Sequence, residues 1–300
     1  MKLSIIGGAG TLGSAIAYQM GNINEIVDVC IIDINKNLAE NHIMDLGGAY
    51  PHKRYYFGNY QDLTNSSIII IAAGIPNRND IDSRDAFFKG NVKLLKEFGE
   101  NIKKYAEDSL IMIASNPVDA LNYYLYETFK FKKSQLLGYS LNDSLRFEKA
   151  IRKSLELPAD TKVTSPVIGE HGDYQVPLFS QIQINQQKKI ISEQKKEDIN
   201  KEIKDWFIDF NNLEIDRTTG WMTAKGIGIL VEKIVNGNKF ITVGSAIMDG
   251  EYGIRGISLG NIIELEDFKI KNVLQRKLSA NEKRKMVDAS HKVKKLLSVL

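Results

Sequence analysis

The sequence predicts an α/β fold in which a doubly wound parallel sheet is followed by a second, mixed α/β unit. Three observations carry that expectation. Short apolar runs alternate with amphipathic helical stretches through the first 140 residues. A glycine turn, Gly8-Ala9-Gly10-Thr11-Leu12-Gly13, joins the first apolar run to the first helix. After about residue 141 the pattern changes to longer helices, more widely spaced strands and many lysines. A chain of 300 residues with 43% hydrophobic and 26% charged content has length enough for two cored units, and the division is drawn at 1–140 and 141–300.

In chain order, residues 3–6, 27–32, 68–73 and 110–114 are apolar runs of strand length with no polar alternation, the pattern of strands covered on both faces. Between them, 12–20 and 87–105 have helical spacing, the second with Phe88, Val92, Leu95, Phe98 and Ile102 along one stripe that should lie on the sheet. Strands are expected around 178–184 and 240–248. The last helix opens on a capping box, Ser279 with Glu282, and continues with Met286, Ala289, Val293 and Leu296 on its inner face, so its lysines should face water.

Composition excludes several classes. A net charge of +3 is far from the basic footprint of a dedicated nucleic-acid binder, so no nucleic-acid partner is expected. The apolar run 68–73 is much shorter than the ~20 residues a membrane helix needs, and the run at the N-terminus is too short for a signal peptide, so no membrane partner is expected either. Cys30 is the single cysteine and sits inside a strand-like run. No intrachain disulfide can form, which points to a reducing cytoplasm. No metal site is expected.

The glycine turn has the spacing G-x-G-x-x-G in the context that gives it meaning, after a strand and opening a helix. Gly8 is expected to permit the tight turn, Gly10 to let the backbone approach a pyrophosphate, and Gly13 to let helix and strand pack closely. Thr11 and Leu12 stand at the helix N-terminus, whose free N–H groups attract phosphate. Asp33 lies 20 residues beyond Gly13, at the end of the second strand. Its carboxylate suits ribose hydroxyls and repels a 2′-phosphate, so the expected cofactor is NAD on a Rossmann-type unit.

Of four histidines (His42, His52, His171, His291), only His171 lies between glycines, in Gly169-Glu170-His171-Gly172-Asp173. Such a turn holds an imidazole at the lip of a pocket, where it can take up and return a proton. Upstream, Asp143 and Arg146 share one helical face. They either pair with each other, or serve separately: Asp143 to orient His171 and stabilise its charged form, Arg146 to grip a carboxylate with two parallel hydrogen bonds.

Five separated motifs, namely the glycine loop, Asp33, Ser115-Asn116-Pro117-Val118-Asp119, the Asp143/Arg146 segment and the His171 turn, together with Gly250-Glu251-Tyr252-Gly253-Ile254, resemble the lactate and malate dehydrogenase family over almost the whole chain. The resemblance implies reversible hydride transfer between NAD and a small 2-hydroxy acid, with His171 handling the hydroxyl proton. It further implies that Arg84 polarises the carbonyl, that Ser115 and Asn116 border cofactor and substrate, that Asn91 lines the cofactor cleft, and that Thr219 packs near the substrate. Arg78 stands six residues before Arg84, where malate enzymes of the family carry arginine and lactate enzymes glutamine. The expected substrate is therefore a dicarboxylic 2-hydroxy or 2-keto acid, malate and oxaloacetate, with L-lactate dehydrogenase as the alternative and a non-catalytic dinucleotide-binding protein as a remoter one. A homo-oligomer, a tetramer before a dimer, is implied by the shorter malate dehydrogenases. The sequence departs from the family in the loop 77–84, which lacks the usual glycine and proline, has one residue more ahead of Arg78, and carries Asp80 and Asp82. Asn142 replaces an apolar residue, which predicts a more polar pocket wall.

Overall fold

The computed structural model describes residues 1–75, 84–215 and 220–300. The chain runs β1 (Lys2–Ile6), α1 (Thr11–Met20), β2 (Asp28–Ile32), α2 (Lys36–Ala49), β3 (Arg54–Phe57), β4 (Ile68–Ile71), α3 (Arg84–Tyr105), β5 (Leu110–Ile113), α4 (Val118–Phe129), β6 (Leu136–Gly138) and α5 (Leu141–Ser154). It continues through β7 (Val163–Thr164), β8 (Val167–Gly169), β9 (Gln175–Pro177), β10 (Gln183–Ile184), β11 (Gln187–Lys188), α6 (Glu193–Asn212), α7 (Trp221–Val235), β12 (Phe240–Asp249), β13 (Arg255–Glu266), β14 (Lys269–Val273) and α8 (Ala280–Leu297).

The first six strands pair in the order β3-β2-β1-β4-β5-β6, all parallel, which is the doubly wound arrangement. Their pleat sorts side chains to two faces. Leu3, Ile5, Val29, Ile31, Ile68 and Ile70 meet Ile16 and Ala17 of α1 and Ile227, Leu230 and Val231 of α7 on one side. Ile6, Ile32, Ile69, Ile71, Ile111 and Ile113 meet the Phe88, Leu95, Phe98 and Ile102 stripe of α3 and Leu121 and Leu125 of α4 on the other. Burial on both faces is why these strands read as unbroken apolar runs. Cys30 is buried and free, and burial pushes its thiol up.

The sheet does not stop at β6. Antiparallel β12 joins it through Ser245 and Gly138, and β13, β8 and β9 follow. The Ser279–Glu282 capping box forms at the start of α8, which packs Met286, Ala289 and Val293 inward. Around 178–184 the expected strand is corrected: Phe179–Gln181 is a 3-10 turn and only Gln183–Ile184 pairs, in a small separate sheet with β7 and β11. Leu178 and Ile182, four residues apart, are both fully buried, a spacing that one face of a strand and one face of a helical turn share. Among the described residues no helix is long and apolar enough to cross a membrane.

Candidate active site

The loops that follow β1, β2, β4, β5 and β6 gather at the carboxyl ends of the parallel strands, where open α/β sheets bind ligands. At the first of them the positive φ belongs to Gly7 (+84°), so the tight turn is set there and not at Gly8 as the motif spacing suggested. Gly8 is required for a different reason, since a Cβ would lie 2.7 Å from the Ile31 side chain. At Gly13 a Cβ would lie 2.1 Å from the Gly7 carbonyl oxygen, so only glycine lets α1 start hard against β1. At Gly10 the nearest atom to a Cβ would be that same oxygen at 3.4 Å, which leaves the space above the loop open. Gly10 caps α1 without a side-chain hydrogen bond, so the first-turn N–H groups of Thr11, Leu12 and Gly13 face that space with no capping side chain.

Asp33 anchors the other side of the cradle. Its Oδ2 accepts the Ala9 N–H at 2.9 Å and its Oδ1 accepts the Asn35 N–H at 2.9 Å, which fixes the carboxylate beside the glycine loop. A carboxylate has about four lone-pair positions, so two backbone donors leave capacity for ribose hydroxyls. An open glycine cradle, an uncapped helix start and a fixed carboxylate fit a dinucleotide.

Asn91, on α3, is 3% exposed. Its Oδ1 accepts the Ile75 N–H at 2.8 Å and its Nδ2 donates to the Asn116 carbonyl at 2.9 Å, so it ties the strand end after β4 to the strand end after β5. Ser115 Oγ donates to the Ala73 carbonyl across the same gap. Asn116 itself is exposed at the lip. Arg84 is the first residue of α3, while Arg78 and Thr219 lie outside the described residues.

α5 and the turn after β8 meet at the centre. His171 Nδ1 lies 2.6 Å from Asp143 Oδ2, and Arg146 Nη1 donates to Asp143 Oδ1 at 3.3 Å. Both readings of the Asp143/Arg146 spacing therefore hold at once: the carboxylate pairs with the arginine and orients the histidine, one oxygen to each. The Asp143 side chain is 6% exposed and those of His171 and Arg146 are 17% and 18%, so the carboxylate lies beneath and the two cations reach the surface of the cleft. Burial alone would lower the His171 pKa, but the charge and hydrogen bond of Asp143, with a further contribution from Asp119, outweigh it and lift the imidazole to about 9. With Nδ1 engaged, Nε2 is the ring atom left to exchange a proton. The Arg146 guanidinium lies 4.2 Å from the centre of the Trp206 ring of α6, a flat support for its planar fork.

The family model described as "lactate/malate dehydrogenase, NAD binding domain" matches residues 1–138, and that described as "lactate/malate dehydrogenase, alpha/beta C-terminal domain" matches 141–299. The chain belongs to the lactate/malate dehydrogenase family. It is accordingly an NAD-dependent oxidoreductase, and the cradle described above lies in its NAD binding domain. A malate dehydrogenase of Halobacterium salinarum is 29% identical over 97% of this chain and 97% of its own. L-lactate dehydrogenase 2 of Clostridium acetobutylicum is 30% identical over 100% of this chain and 97% of its own. Among solved structures, the malate dehydrogenase of Aeropyrum pernix superposes with a TM-score of 0.90 at 26% identity, covering 100% of this chain and 98% of that one.

Within this member of the family, one expectation changes. The polarity that Asn142 adds does not face the pocket as a loose wall: it is 6% exposed, accepts the Tyr139 hydroxyl at 2.7 Å and donates to Thr223 Oγ1 at 2.7 Å, joining α5 to α7. The Gly250–Ile254 motif is the β12–β13 connection, where the Tyr252 hydroxyl accepts the Arg276 N–H at 2.8 Å. Two residues packed against the His171, Asp143 and Arg146 cluster were not singled out from the sequence. Trp206 carried no signal beyond its place on a helix, while Asp119 was visible only as the last residue of the Ser115–Asp119 motif.

Proposed function

We propose that the chain is an NAD-dependent malate dehydrogenase, interconverting malate and oxaloacetate, with residues 1–140 holding the cofactor and 141–300 supplying most of the substrate site. The observation that carries the reading is the 2.6 Å pair of His171 Nδ1 with Asp143 Oδ2, beneath which no bound metal is needed to move a proton. Bound NAD supplies or accepts the hydride. The protein does the rest. Gly8, Gly10, Thr11, Leu12 and Gly13 hold the pyrophosphate, Asp33 the adenosine ribose, and Asn91, Ser115 and Asn116 keep the nicotinamide side of the cleft in register. Arg146 fixes the carboxylate next to the reacting carbon, and Arg84 polarises the carbonyl. In reduction, protonated His171 gives its Nε2 proton to the carbonyl oxygen as that carbon gains hydride. In oxidation the neutral ring takes the hydroxyl proton back. Thr219 packs against the substrate.

Dicarboxylate preference rests on Arg78. A guanidinium facing the distal carboxylate of oxaloacetate gains a charge-assisted bond worth about 1.5 to 3 kcal/mol, which the methyl of pyruvate cannot offer. That corresponds to roughly tenfold to hundredfold in relative kcat/KM. Arg78→Gln should shift preference from oxaloacetate toward pyruvate by that amount, read by NADH oxidation with each acid. An unchanged ratio in the variant, or a parent chain that already prefers pyruvate, favours the lactate reading instead. The reading includes a homo-oligomer, a tetramer before a dimer, in the cytoplasm, and what supports it is the likeness to the shorter malate dehydrogenases.

A further inference from the structure

A buried carboxylate lies behind the catalytic histidine and belongs to the other half of the chain. Asp119, in the first turn of α4, is 3% exposed. Its Oδ2 accepts the backbone N–H of His171 at 2.7 Å, and its Oδ1 accepts the Ser245 hydroxyl of β12. Behind Ser245, the Ser258 hydroxyl of β13 lies 2.8 Å away, and Asn122 Nδ2 donates to Ser258 Oγ at 2.9 Å. Asn122, Ser245 and Ser258 are all fully buried. The donors can run in one direction, amide to Ser258 to Ser245 to Asp119, so that each bond polarises the next toward the carboxylate.

We propose that Asp119 is a positioning residue for His171: from the cofactor-binding half it fixes the backbone of the catalytic turn, and its negative charge helps to hold the imidazole in its protonated form. The inference rests on the reading of His171 as the proton-handling residue. Among the described residues, the charged groups that act on His171 include Asp143 and Arg146 from α5, Asp119 from α4 and Glu170 of its own turn. Asp143 holds the ring and Asp119 holds the main chain, so the two carboxylates grip different parts of the residue. Burial pushes the Asp119 pKa upward, and the bonds from Ser245 and the His171 N–H, with the charge on His171, pull it back, leaving it at about 7. Both of its oxygens meet donors, and protonation would require the Ser245 hydroxyl to turn round. The hydrogen-bond pattern thus favours the ionised form.

The test uses Asp119→Asn, which keeps the side-chain shape and an acceptor for the His171 N–H while removing the charge, and Ser245→Ala, which removes one stabilising donor. The readouts are the His171 titration midpoint, followed by NMR and assigned with His171→Asn, the pH profile of kcat/KM, and NADH binding. Asp119→Asn should lower the midpoint by about half a unit or more, with kcat falling more than KM rises and NADH binding unchanged. Ser245→Ala should move the midpoint in the same direction by less. A folded Asp119→Asn with the parent's midpoint overturns the proposal; if that variant does not fold, an unmoved midpoint in Ser245→Ala does so. A parent chain that turns over no 2-keto acid would instead sink the dehydrogenase reading, and the NMR titration would still decide Asp119.

Discussion

The pair of His171 and Asp143 fixes what protonation state the site offers at each pH. An imidazole lifted to about 9 is protonated at neutral pH. Keto-acid reduction needs the proton, so its kcat/KM should hold level through neutrality and fall as pH rises through about 9. Oxidation needs the neutral ring, so its kcat/KM should rise about tenfold per pH unit below that point and then level off. Rate profiles in both directions on the same preparation check this. Two profiles with a shared midpoint near the ordinary histidine value would contradict the account of how Asp143 acts. The residues of this pair were legible in the sequence because their cues are local: glycines beside His171, and a three-residue helical spacing between Asp143 and Arg146. Asp119 was not, since its partners lie 52 and 126 residues away, and no local pattern encodes such a meeting.

At the level of elements, the parallel strands were legible because burial on both faces writes a continuous apolar run, as in Ile68–Ile71. The stripe of α3 was legible because one face alone meets the sheet. The 178–184 segment misled because Leu178 and Ile182 fit either period over so short a stretch; Phe179–Gln181 forms a 3-10 turn, in which Phe179 packs on Phe147 with ring centres 4.9 Å apart. In the glycine loop, spacing identified the right segment but put the turn one residue late, since sterics against Ile31 and a left-handed φ both call for glycine and only coordinates separate them. That separation makes a prediction. Gly13→Ala has no room against the Gly7 carbonyl, so α1 must shift away from β1; the variant should lose about 1 to 3 kcal/mol of stability and bind NADH more weakly, measured by thermal unfolding and by fluorescence titration. Unaltered NADH affinity would mean that the close start of α1 does not shape the cofactor cradle.

Over the whole molecule, one sheet runs without interruption from the NAD binding domain into the α/β C-terminal domain through Gly138 of β6 and Ser245 of β12, and α7 returns from the C-terminal domain to pack on α1. The sequence showed the change of character near residue 141 but not this continuity, because pairing between β6 and β12 joins segments more than a hundred residues apart. The consequence is that the histidine turn and the cofactor loops are held by a shared framework. The proposed oligomer makes the further prediction that sedimentation will give a mass of several chains, with a tetramer expected; a stable monomer at working concentrations would contradict the oligomer. The role of His171 in moving the proton is tested most directly by NADH oxidation with oxaloacetate, pyruvate and other 2-keto acids, by the parent chain and by His171→Asn. Steady turnover by the parent is expected, fastest with oxaloacetate, and a loss of about 10²- to 10⁴-fold in the variant with NADH still bound. Full turnover by His171→Asn would contradict that role.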